Sequence, residues 1–291
     1  MTRLKAVAVA GALALCATEG YGQGFSGGIP AGWTCIGVCG TAGANGDVTL
    51  APSGGSQYGY VTTNLSTASA PLPGVGGTPT NGSLLRSPVF TANAGDPLRF
   101  YFNYVTSDGA GFADYAWARV MNESGEQVAL LFTARTVTSG SIVPGQGMPA
   151  PQATLTPSSV GIQPGSGEPP PEPPGGGPVW SALGDDSGQC FDTGCGLSGW
   201  ILSEFNLLVG GNYFLEFGVT NWDDQAFDSG LAIDGVQIAG KPIDDQPPPD
   251  GEEPPDGEPP PVTTIPEPAT MSLLATGLLG LGGVVRRRRR V

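Results

Sequence analysis

The chain has 291 residues, with 12 basic and 26 acidic side chains, no histidine, and a net charge of −14. Without histidine, Ser-His-Asp catalysis, Cys-His catalysis and His-based metal chemistry all fall away. Between residues 23 and 265 the balance is five basic to 24 acidic, a net −19. That excess argues against nucleic acid and anionic lipid as partners, and suits calcium or simple solubility outside the cell.

The first 22 residues read as a signal peptide for signal peptidase. Arg3 and Lys5 form a basic start, Ala6–Ala17 an apolar run, and Gly20 and Gly22 offer small residues at the cut. Residues 23–241 form the ectodomain. Four cysteines remain in it: Cys35, Cys39, Cys190 and Cys195. In an oxidising compartment they are disulfide candidates, and the short spacings favour Cys35–Cys39 and Cys190–Cys195. A cross-link between the clusters and a four-cysteine zinc site are the alternatives.

From Asp47 onward the chain reads as short strands separated by Gly, Pro, Asn and Ser. Strands are predicted at Val48–Leu50, Tyr58–Thr62, Leu84–Phe90, Leu98–Val105, Tyr115–Met121 and Gln127–Ala134. Leu98, Phe100, Phe102 and Tyr104 alternate with Arg99, Tyr101 and Asn103, the two-residue period of a strand. Residues 144–178 break the pattern with proline and glycine, and read as an exposed insertion. Strands resume at Ile201–Val209, Tyr213–Thr220 and Leu231–Ile238, with a turn or bulge at Asp234 and Gly235. No sustained helical period occurs between the termini. The predicted fold is all-β, an antiparallel β-sandwich of jelly-roll type, with an N-terminal signal helix and one C-terminal transmembrane sorting helix.

Two loops are rich in oxygen donors. One spans Thr106–Tyr115 and holds Asp108 and Asp114; the other spans Asn221–Ser229 and holds Asp223 and Asp228. Hard cations want six to eight oxygens from carboxylates and loop carbonyls, so these four aspartates are the candidate calcium ligands. Their bland reading is Asx turns that bond their own backbone. These loops with Leu231–Ile238 resemble a secreted jelly-roll pattern seen in bacterial carbohydrate-binding-like modules, a resemblance that implies sugar binding. Trp117, Trp180, Trp200, Trp222, Tyr58 and Tyr60 are the candidate aromatic contacts. Glu204 and Glu216, on neighbouring predicted strands, are the one carboxylate pair to consider for glycoside hydrolysis.

Residues 242–265 form a stalk with nine prolines and seven acids. Polyproline stiffness and like charge keep such a segment extended, up to ~75 Å. The chain ends with Pro266, Glu267 and Pro268, an uncharged run at 269–285, and Arg286, Arg287, Arg288, Arg289 and Arg290. Seventeen residues of helix span roughly 25 Å, the short end of a membrane crossing. The arginines hold the C-terminus on the cytoplasmic side. Residues 266–291 resemble the PEP-CTERM sorting signal of Gram-negative bacteria that make exopolysaccharide. Similar tails are also named after ice-binding proteins, a label that says nothing of ice here. The resemblance implies export across the inner membrane, transient anchoring, processing by an exosortase near Pro266, and release to the cell surface or matrix. The expected role is a non-catalytic surface or matrix protein that binds exopolysaccharide. A structural component without a ligand and a carbohydrate-active enzyme are the alternatives.

Overall fold

Alternating apolar residues between glycine-rich turns produce sixteen strands among the residues described by the computed structural model, which are 24–167 and 176–245. In chain order they begin with β1 (Thr34–Ile36), β2 (Val38–Ala42), β3 (Tyr58–Thr62), β4 (Pro79–Arg86) and β5 (Phe90–Ala92). Next come β6 (Pro97–Thr106), β7 (Tyr115–Asn122), β8 (Gln127–Arg135), β9 (Ser141–Val143), β10 (Thr154–Thr156) and β11 (Val160–Gly161). The last are β12 (Gly196–Leu197), β13 (Ile201–Asn206), β14 (Gly211–Trp222), β15 (Ser229–Ile238) and β16 (Lys241–Pro242). Two 3-10 segments, Ser181–Asp186 and Ile243–Asp245, are the helical elements among the described residues. None there is long and apolar enough to cross a membrane. The predicted signal peptide, the sorting residues Pro266–Pro268 and Arg286–Arg290, the sorting helix and most of the stalk lie outside the described residues.

All pairs between these strands are antiparallel. One sheet runs β1-β4-β14-β7-β8, with β5 also on β14. A second large sheet runs β10-β13-β6-β15-β3-β2, with β12 on β6 and β16 on β15, and β9 pairs with β11 in a small sheet of two strands. Phenylalanines join the two large sheets. Phe102 of β6 stacks on Phe132 of β8 with centroids 3.7 Å apart, and Phe100 meets Phe217 of β14 edge-on at 5.0 Å. Leu215, Phe217 and Val219 share this core, so Glu216 between them faces outward.

Both outer faces are also covered. Trp180, Ala182 and Leu183 lie over Val105, Tyr58 and Ala232 of the second sheet. Trp180 Nε1 donates to Tyr58 Oη at 2.9 Å. Leu72 covers Tyr115, Trp117 and Leu130 of the first sheet. Strands covered on both sides lose the buried–exposed alternation, and β14 is buried without break from Tyr213 to Asn221.

Several expectations change. Val48–Leu50 is no strand: Val48 makes one isolated bridge with Asn45. Leu84–Phe90 divides into β4 and β5, parted at Ser87–Val89 by Pro88, which has no N–H to give. Part of the 144–178 stretch belongs to the sandwich, because β10 is an edge strand on β13 and Leu155 enters the core. The strand at Ile201 stops at Asn206 and leaves Leu208 exposed. At Asp234 and Gly235 the β15–β6 register slips, and Gly235 takes φ 63°. Cys35–Cys39 spans the crossing from the first sheet to the second. Gly37 turns that corner at φ 84°, where a Cβ would stand 2.4 Å from Ser83 Oγ.

Phe217→Ala empties the junction between the sheets. It is expected to cost about 3–5 kcal/mol, read as a lower urea midpoint.

Candidate functional site

Three strands carry the core pattern to one end of the sandwich and change chemistry there. Along β6 the inward residues run Phe100, Phe102, Tyr104, Thr106, and the same period reaches Asp108. On β14 they run Phe217, Val219, Asn221; on β15 they run Ile233, Leu231, Ser229. Aromatic and aliphatic groups give way to hydroxyls, then to an amide and a carboxylate. Ser229 Oγ donates to Asp114 Oδ2 at 2.6 Å and lies in hydrogen-bond contact with the Thr106 hydroxyl at 2.7 Å.

Asp114 is 0% exposed and ties this end together. Its Oδ1 accepts the Trp222 N–H at 2.8 Å, and its backbone carbonyl accepts Tyr104 Oη at 2.9 Å. Asp108 is 1% exposed; its Oδ1 accepts the Gly109 N–H at 2.6 Å. Its Oδ2 is buried without a hydrogen-bond partner, as are Oδ1 and Nδ2 of Asn221. Asp228 Oδ1 accepts Thr63 Oγ1 at 2.8 Å, and the Asp228 N–H donates to Asp186 Oδ2 at 2.9 Å.

These carboxyl groups repel one another. Burial pushes Asp108 up to about 7, with the charges of Asp224 and Asp186 adding to it against the Gly109 hydrogen bond. Burial raises Asp114 well above the usual carboxylate range, and the charges of Asp108 and Asp224 raise it further. Asp228 is pushed up to about 6 by burial and then by Asp186. No basic side chain answers them: the ion pairs among the described residues are Arg86 and Arg119 with Glu216, and Arg99 with Glu204. No three carboxylates among the described residues already converge on one point as a metal cage.

Of the predicted set, the structure brings Asp108, Asp114 and Asp228 to this end. Asp223 is exposed, at φ 69°, and its N–H donates to Thr78 O at 2.9 Å. Its neighbour Asp224 is the one whose charge reaches Asp108 and Asp114. Sequence reasoning also missed Asp186 and Asn221. Adjacent aspartates do not announce which one turns inward, and Asp186 comes from a segment distant in sequence.

A disulfide loop backs the site. Cys190–Cys195 is bonded, the Phe191 N–H donates to Ser107 O at 3.0 Å, and the Ala110 N–H donates to Thr193 O at 2.8 Å. With all four cysteines paired, no zinc site forms from them. Phe191, 49% exposed, stands 5.5 Å from Phe112 and 4.9 Å from Phe227, an aromatic group shared by three loops. The expected aromatic contacts are mostly packed away: Trp117, Trp180 and Tyr58 are buried, while Trp200 and Tyr60 are part-exposed. Trp222 lies under the Arg135 guanidinium at 4.3 Å and beside Tyr115 at 6.0 Å.

Glu204 and Glu216 do not pair. Ser203 faces inward, bonding Leu131 O of the other sheet, so Glu204 on β13 faces out, as Glu216 on β14 does from the other sheet. They occupy opposite outer faces and each is engaged by arginine. A two-carboxylate site needs its groups about 5–10 Å apart across one sugar, which this arrangement does not give.

The raised carboxyls set a pH dependence. A folded pKa above the ordinary value of 3.8 means that the native state holds protons which the unfolded chain releases. The associated stability is complete below that value and is lost as pH rises through the folded values, about 6 for Asp228 and about 7 for Asp108. In chelator, the thermal midpoint is therefore expected to fall between about pH 5 and about pH 8, and Asp108→Asn to flatten that fall.

Comparison with curated proteins finds no match. Among solved structures, the chain is similar to the K1 and K3 cleaved adhesin domains of Lys-gingipain from Porphyromonas gingivalis W83. Identities are 13% and 12% over 74% of this chain and 94% and 95% of theirs, with TM-scores of 0.31 and 0.30. The enzymatically active domain of tailspike protein 4 from bacteriophage CBA120 is 11% identical over 72% of this chain and 19% of that one, at TM-score 0.28. Residues 264–290 match the PEP-CTERM protein-sorting motif. The chain thus carries a PEP-CTERM sorting signal, which implies export to the cell envelope or surface with an exosortase as its processing partner.

Proposed function

We propose that the chain is a non-catalytic protein of the cell surface or extracellular matrix that holds exopolysaccharide. The observation that carries this reading is the sorting motif at 264–290 behind an acidic, all-β, disulfide-bonded body. In this reading residues 1–22 start export, the tail anchors the chain for a time, and the acidic Pro-rich stalk keeps the sandwich off the membrane. Phe191 gives the polysaccharide a half-exposed ring held in place by Phe112 and Phe227. An aromatic face of this kind buries apolar area at little entropic cost.

Two measurements test this. The mass of the protein recovered from the cell surface is expected to match a chain that starts near Gln23, ends near Pro266 and lacks four thiol hydrogens. An intact chain with Met1 and free thiols in the cytosol defeats the reading. In co-sedimentation with host exopolysaccharide the full chain is expected to be retained, and Phe191→Ala to weaken retention about tenfold, the loss of one aromatic anchor. No retention leaves the structural matrix role in its place; release of reducing sugar makes the protein an enzyme.

A further inference from the structure

Three buried polar atoms at the sandwich end lack partners: Asp108 Oδ2, and Oδ1 and Nδ2 of Asn221. Folded proteins leave few such atoms, and each calls for an explanation. These belong to one neighbourhood. Asn221 precedes Trp222, whose N–H is held by Asp114, and Asp108 feels the charges of Asp186 and Asp224. The surrounding groups are already committed. Both Asp114 oxygens accept hydrogen bonds, and Asp228 Oδ1 accepts Thr63 Oγ1. The fully buried acceptors left unused are Asp108 Oδ2 and Asn221 Oδ1, within reach of the charges of Asp186 and Asp224 at Asp108.

We infer that this end of the sandwich is a structural calcium site, with Asp108 Oδ2 and Asn221 Oδ1 as the inner ligands and the carboxylates of Asp186 and Asp224 closing over the ion. The inference goes beyond the polysaccharide reading and does not depend on it. All the available donors are oxygen, the four described cysteines are bonded in pairs, and the chain has no histidine, so a hard cation is favoured over zinc or copper. The donors come from β14, from two separate loops and from the end of the Ser181–Asp186 3-10 segment, an irregular set that calcium accepts and the strict octahedron of magnesium does not. Asp186 and Asp224 are part-exposed; Asp186 Oδ2 accepts the Asp228 N–H and Asp224 Oδ1 accepts the Ala226 N–H, which leaves the other oxygen of each to face the ion. Asp114 is a positioning residue, holding β14 and β15 at fixed spacing behind the ligands. The bound cation would neutralise a cluster that no arginine or lysine among the described residues pairs with. It would also clamp the loop after β6, the segment before the Cys190–Cys195 disulfide, and the loop after β14.

The test uses the full chain in detergent, stripped with EDTA and titrated with calcium chloride. Half-saturation is expected at roughly 0.1–1 mM, the range of extracellular calcium modules. At a hundredfold excess over that constant the thermal midpoint is expected to rise by about 5–10 °C. Terbium in place of calcium should give luminescence sensitised by the nearby Tyr115 and Trp222, at one ion per chain. Asp108→Asn is expected to raise the midpoint in EDTA, because it removes a repelled charge without changing shape, and to abolish the calcium response. Asp224→Asn, which keeps a side-chain oxygen for the Ala226 N–H, should weaken half-saturation about tenfold or more. Asp223→Asn should leave the response intact. An unchanged midpoint without terbium signal means that water fills the site and overturns the inference. A full calcium response in both Asp108→Asn and Asp224→Asn, or its loss in Asp223→Asn, overturns it as well.

Discussion

The contact of Phe102 with Phe132 fixes the separation of the two sheets, and most of the molecule follows from that separation. Rings fill the gap across its middle, where Phe100 and Phe217 continue the packing. Towards the loop end the inward positions of β6, β14 and β15 still point into the same gap. They cannot stay apolar there, because the chain must turn and its turning residues need hydrogen-bond acceptors. Threonine, serine, asparagine and aspartate take these positions, and they are buried because the sheets are. The acidity of this end is thus a product of core geometry. A carboxylate such as Asp114 is drawn out of water by the strands it joins, at a cost offset by Trp222 and Ser229.

The outer sheet faces carry large apolar side chains, and covering them gives the Gly- and Pro-rich segments a packing role. The stretch around Leu72 covers Trp117 and Tyr115; the stretch from Trp180 to Leu183 covers Tyr58 and Val105. Glycine permits the close approach in each case. At Gly230 a Cβ would stand 2.5 Å from the Trp180 ring, and at Gly77 it would stand 2.0 Å from Trp222. Composition alone makes such loops look disordered. A few large side chains placed in them are enough to bind them to a sheet face.

That explains which parts of the fold were legible in the sequence. Tyr58–Thr62 and the β6, β7, β8 and β14 segments carry enough apolar alternation to be placed within a residue or two. The edge strand Thr154–Thr156 is too short to show a period among its prolines. The separation of Glu204 from Glu216 was hidden for a different reason. Neighbours in sequence order, β13 and β14 belong to different sheets, and alternation reports only that each glutamate faces out. At the site, the Asp-rich loops were readable as a class. No side-chain pattern tells Asp223, exposed at φ 69°, from Asp224, whose charge reaches Asp108 and Asp114.

Charge sets the last constraint. The body between residues 23 and 265 has five basic side chains. Arg86 and Arg119 are spent on Glu216, which is 2% exposed and accepts both. Arg99 serves Glu204, and Arg135 bonds Ala113 O while stacking on Trp222. Arg135 thus reaches the polar end only through a carbonyl and a ring, and among the described residues none of these cations pairs with a carboxylate there. A buried carboxylate that lacks a protein cation must hold a proton or meet an ion from solution, since an isolated charge in the interior is far too costly. A chain so short of basic groups hands that choice to its medium. Outside the cell, where pH and divalent ions are set by the surroundings, the end of this sandwich is therefore tied to what the surroundings supply.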